Sequence, residues 1–142
     1  MKSKNNVTLC GAVAVLLYIG GGPGCGYAQG PTVPSVEHTA TGIPYLSGGV
    51  GLDERDALRA ISSGYNLHVT FAQREGNFLS DVHVAIQNAK DMTVLETVPR
   101  GPWLFTKLPP EKYTVIAEIQ GKTQQRVTHV PTTGHAEVYF YW

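Results

Sequence analysis

From residue 65 onward the chain alternates between apolar and polar positions. In YNLHVTFA, Leu67, Val69 and Phe71 fall on one side while Asn66, His68 and Thr70 fall on the other. That period of two belongs to a strand with one buried face. DVHVAIQ repeats it, with Val82, Val84 and Ile86 set against Asp81, His83 and Ala85. MTVLETV, WLFTKL, YTVIAEI, TQQRVTHV and AEVYFYW follow, separated by the turn segments NAKD, RGP, PPEK, QGK and PTTGH. Seven short strands with turn signals every 8–12 residues or so predict an all-β antiparallel sandwich or small barrel. No helical segment lies between strands, which argues against a parallel α/β sheet.

Upstream the period changes. GLDERDALRAISSG places Leu58 and Ile61 three apart with Ala57 and Ala60 alongside, and Gly64 follows as a stop. Asp53 is a candidate N-cap, with Glu54 and Asp56 in the first turn, where the helix dipole favours acids. One short amphipathic helix is predicted over residues 53–62. Its apolar face is narrow, so it should pack on the edge or end of something larger. Residues 29–50 mix proline, glycine, serine and threonine without an apolar period, which predicts a flexible leader. The domain itself is expected over residues 51–142.

The first 28 residues have a separate logic. Lys2 and Lys4 precede the apolar run VTLCGAVAVLLYI, and Gly26 and Ala28 make a small-x-small site. These are the parts of a secretory signal peptide, with cleavage after Ala28 and a periplasmic or secreted product of a bacterial cell. The apolar run is shorter than the roughly 20 residues a membrane span needs, so no stable span is expected after cleavage. A second version makes Cys25 the lipid-modified first residue of a lipoprotein, although the Gly22-Pro23-Gly24 sequence before it lacks the branched residue such sites favour. The mature chain of about 114 residues suits one domain. It has no cysteine, which excludes a disulfide framework, thiolate metal sites and cysteine nucleophiles. Removing Lys2 and Lys4 leaves it slightly acidic without a basic cluster, so nucleic acid is excluded as a partner.

Between His68 and His129 the chain resembles the carboxypeptidase regulatory-like domain. The residues that carry the resemblance are FLSDVHVAI for the second strand and Gly101, Trp103, Phe105, Leu108, Pro109, Pro110, Tyr113 and Val115 for the centre. The helix, YNLHVTFA and the YFYW end also look like a group of small exported bacterial proteins built around that domain. The resemblance implies a seven-stranded prealbumin-like (Ig-like) sandwich without catalytic activity of its own. One position departs from the pattern: Glu111 stands where the family has glycine, so the turn must change type or carry strain of roughly 1 kcal/mol.

Candidate sites are few. His68 and His83 both lie opposite the apolar face of their strands, and a zinc or copper pair would need them side by side. The resembling fold puts those two strands in different sheets, so solvated histidines are the simpler expectation and no cofactor is predicted. His38, His129 and His135 fall in or near loops and form no spacing motif. The chain ends Tyr139-Phe140-Tyr141-Trp142, not in the Tyr-Arg-Gly-Ser tetrapeptide that the resemblance to prealbumin-type hydroxyisourate hydrolases would require. It also lacks a G-x-S-x-G elbow. Trp103 is expected in the core. On the last strand, Tyr139 and Tyr141 alternate with Val138, Phe140 and Trp142, so one set should form an exposed aromatic stripe. The expectation is a non-enzymatic envelope module with an envelope protein or glycan as partner; its alternative is a small carbohydrate- or ligand-binding module that uses Tyr139 and Tyr141.

Overall fold

A computed structural model describes residues 34–142. The signal segment, Cys25 and the cut after Ala28 lie outside the described residues. Among those described, no helix is long and apolar enough to cross a membrane.

Among the described residues, nine strands form two sheets. They are β1 (Glu37–His38), β2 (Pro44–Gly48), β3 (Leu67–Ala72), β4 (His83–Gln87), β5 (Thr93–Thr97), β6 (Trp103–Thr106), β7 (Lys112–Ile119), β8 (Lys122–His129) and β9 (Ala136–Tyr141). One sheet has the order β1-β2-β6-β3-β9 and the other β5-β4-β7-β8. Each of the seven expected segments forms a strand. Pairing is antiparallel except between β3 and β9, which run parallel. The core lies between the inner faces, where Leu67, Val69 and Phe71 of β3 meet Val84 and Ile86 of β4, Tyr113 and Val115 of β7, and Phe140 of β9. All of these are essentially inaccessible to solvent, as the period-two patterns require.

The leader is a correction. Residues expected to be flexible supply β1 and β2, and β2 pairs with β6 from Tyr45↔Thr106 to Gly48↔Trp103. Long-range contacts hold the edge. Tyr45 donates a 2.8 Å hydrogen bond to Glu37, which also pairs with Arg100 at 3.0 Å, and Thr97 donates to the Tyr45 hydroxyl. Proline and glycine in the composition hid these strands, although Pro44 stands at the first residue of β2, where proline is tolerated.

The helix α1 (Leu52–Ile61) starts one residue before its expected position. Gly51, not Asp53, is its N-cap and offers no side-chain cap, while the Glu54 carboxylate reaches back to accept from Val50 N at 3.0 Å. Only Leu58 is buried, against Leu46 and Phe105 on the outer face of the five-stranded sheet. A 3-10 turn (Ser62–Gly64) then leads into β3.

Glu111 causes no strain. The non-glycine residues with positive φ among those described are Asp81, Asp91 and Gln120, so the turn at Glu111 does not need the left-handed conformation that favours glycine. The Tyr113 hydroxyl donates to Pro109 O at 2.9 Å and Val130 N to Glu111 O at 2.9 Å, so the double-proline corner is held from β7 and from the residue that follows β8. Gln120 and Gly121, at φ 49° and 74°, make the tight β7–β8 hairpin.

Gly101 has a steric reason. A Cβ there would lie 2.5 Å from Gly48 O and 2.6 Å from Gly48 C, both backbone atoms that cannot swing aside. Gly101→Ala is expected to destabilise by about 1–3 kcal/mol, read from urea unfolding midpoints. Gly64→Ala, where a Cβ meets nothing within 4 Å, should change them little.

Candidate functional site

The parallel β3–β9 register decides which side chains meet on the outer face. His68 lies beside Glu137 and Thr70 beside Tyr139. On the other flank, His68 faces Phe105 and Thr70 faces Trp103 across the β3–β6 ladder. Because α1 packs its apolar face on Leu46 and Phe105, the remainder stays open as a groove of about 490 Å3. Its floor is aromatic. Trp103 stacks on Phe105 at 5.9 Å and meets Phe78 edge-on at 6.5 Å, while His68 lies 4.3 Å from Phe105. The helix supplies the rim, with Arg55 5.2 Å over the Phe78 ring and Arg59 5.2 Å over that of Trp103. Cation–π contacts at exposed positions are worth about 0.5–1 kcal/mol each. Trp103 is therefore partly exposed groove floor rather than core.

The polar groups converge at the β9 side. The His68 and His135 rings stack at 4.3 Å with 16° between their planes. His68 Nε2 lies 3.2 Å from both Ser62 O and Tyr65 O. Carbonyls only accept, so the ring hydrogen is on Nε2 and the lone pair on Nδ1. His135 Nε2 lies 3.2 Å from Glu137 Oε1, and the Tyr139 hydroxyl donates to Glu137 Oε2 at 2.7 Å. That hydroxyl and His135 hold the Glu137 carboxyl below its ordinary pKa, and the same bond raises that of Tyr139. Burial lowers the pKa of His68, with His135 adding to the effect, against the carbonyls of Ser62 and Tyr65 and the charge of Glu137.

His68 and His83 lie in different sheets, as expected, and do not pair. His83 is on β4 in the other sheet, half exposed, and pairs with Glu96 at 3.1 Å. His38 and His129 are the last residues of β1 and β8, next to loops as expected. The partner of His68 is His135, immediately before β9. Extending the alternation of the last strand back by one residue would have found it, because His135, Glu137, Tyr139 and Tyr141 share a parity. Tyr139 and Tyr141 are 44% and 47% exposed, with rings 6.3 Å apart and 11° from parallel. Val138 and Phe140, of the opposite parity, are buried.

No protein-family model matches the chain, and no curated protein matches it in sequence.

The depressed His68 pKa fixes the sign of a pH effect. The unfolded chain takes up this proton near pH 6.5, before the folded one. The stability contribution is therefore complete above about pH 6.5 and shrinks as pH falls through the lowered folded value. Urea midpoints from pH 8 to 5 should show wild type losing more stability than His68→Gln. A constant difference between the two would contradict the burial argument.

Proposed function

We propose that the protein is a non-catalytic, exported β-sandwich module of the bacterial envelope that binds a glycan on the outer face of its five-stranded sheet. The observation that carries this reading is the uncovered aromatic surface. The near-parallel Tyr139 and Tyr141 rings continue into a groove floored by Trp103 and Phe78. Aromatic faces stack on the apolar faces of sugar rings, and Glu137, His135, Thr70 and Ser62 supply hydrogen-bonding groups beside them. Among the described residues the groove lining holds a single carboxylate, Glu137, whereas glycoside hydrolysis ordinarily needs two flanking the scissile bond. That favours binding over cleavage.

The finer fold reading, a prealbumin-like carboxypeptidase regulatory-like domain, is supported by the steric role of Gly101 and by the Pro109–Tyr113 bond at the double-proline corner. Export rests on the basic start, apolar run and small-x-small site of the first 28 residues.

The test is a titration of the mature chain with soluble envelope oligosaccharides, followed by tryptophan fluorescence and amide chemical shifts. Binding is expected to perturb Trp103 and β9. Tyr139→Ala and Tyr141→Ala should each weaken it about tenfold, the order of one lost stacking contact. If no oligosaccharide binds, or if both variants bind as wild type does, the proposal fails.

A further inference from the structure

We propose that His68, His135 and Glu137 form a binding site for a divalent transition cation of borderline softness, with Zn2+ the ion to test. One donor atom from each residue lies within 4.8 Å of the others. Two imidazoles and a carboxylate are a donor set that zinc accepts, with its remaining position left to water. His68 and Glu137 come from neighbouring strands in fixed register and His135 directly precedes β9, so the fold brings the three together before any ion arrives.

The surroundings already orient the donors. The Nε2–H of His68 is held by Ser62 O and Tyr65 O, which directs the Nδ1 lone pair outward. Backbone carbonyls are common partners for the second nitrogen of a metal-bound histidine. Glu137 is held in the same manner: Tyr139 occupies Oε2 and leaves Oε1 toward His135. The 3.2 Å contact between His135 Nε2 and Glu137 Oε1 is a hydrogen bond that the ring N–H donates to the carboxylate, so an ion bound there would take the place of that proton. The nearest cation of the lining, Arg59, is turned to Asp56 at 3.2 Å and to the Trp103 ring, away from the donors.

One movement is required. The two imidazole planes are nearly parallel, so their lone pairs run side by side rather than toward one point. Closure needs His135 to rotate about its side-chain torsions and the set to contract from 4.8 Å. His135 precedes β9 and its side chain is 45% exposed, and the rotation takes it off the His68 ring and releases its bond to Glu137. His68, wedged on Phe105, stays as the fixed ligand.

The proposal does not rest on glycan binding, and its test contains no sugar. The mature chain, without an affinity tag and stripped by chelator, is titrated with Zn2+ in a calorimeter and with Co2+ by visible absorption. Saturable uptake near one ion per chain is expected, with the intense visible bands of tetrahedral Co2+. His135→Ala and Glu137→Gln should each weaken uptake at least tenfold, while His83→Ala leaves it unchanged. His135 and Glu137 are exposed, so their variants keep the test valid even if His68→Ala fails to fold. Absence of saturable binding would overturn the site, as would binding that survives His135→Ala or depends on His83.

Discussion

The parallel pairing of β3 with β9 is the contact on which the rest of the molecule depends. Six consecutive residue pairs run from Leu67↔Ala136 to Ala72↔Tyr141. On the inner side Val69 sits beside Val138 and Phe71 beside Phe140, whose rings stack at 5.9 Å. A slip of one residue would turn Val138 and Phe140 to solvent and bury Glu137. The core thus fixes the register, and the register fixes which polar residues of the last strand stand beside His68. The site is a consequence of burial on the opposite face of the same two strands.

What remains open on the outer face is set by the helix. With Leu58 as its single buried side chain, α1 packs its apolar face on Leu46 and Phe105, with Tyr65 and Trp103 only partly buried alongside. Its arginines then extend over Phe78 and Trp103 by their guanidinium groups rather than by apolar packing. A broader apolar face would have closed the groove. Glycine makes room beneath: a Cβ on Gly49 would press on the Trp103 ring at 3.2–3.3 Å, and Gly101 lies against the Gly48 backbone. The exposure of Trp103 is therefore a product of a narrow helix above and side-chain-free backbone alongside.

Much of this could be read in the chain. Alternation located β3, β4, β7 and β9, because each has one face in the core and one outside it, whereas β8, with no buried residue, was marked by the turns that bound it. The short helix and its narrow face were legible for the same reason. The leader was not, since β1 is held by Glu37, Tyr45, Thr97 and Arg100, residues far apart in sequence whose pairing leaves no local period. The groove was half legible. The alternation shows Tyr139 and Tyr141 sharing a face, but that His68 stands opposite Glu137 follows from a parallel pairing between distant segments. His83 looked equivalent to His68 by parity and differs from it only in which sheet its strand joins.

That division also separates the groove from fold stability. His135, Glu137, Tyr139 and Tyr141 are exposed, and their hydrogen bonds and ring contacts are made to one another or to His68. Replacing them removes no buried apolar surface, and surface changes of that kind ordinarily alter stability by no more than about 0.5 kcal/mol. His68 is different. It packs on Phe105 and anchors the 3-10 turn through Ser62 O and Tyr65 O, so it belongs to both the groove and the scaffold. The chemistry of the face can vary through the last strand while His68 and the helix hold its geometry.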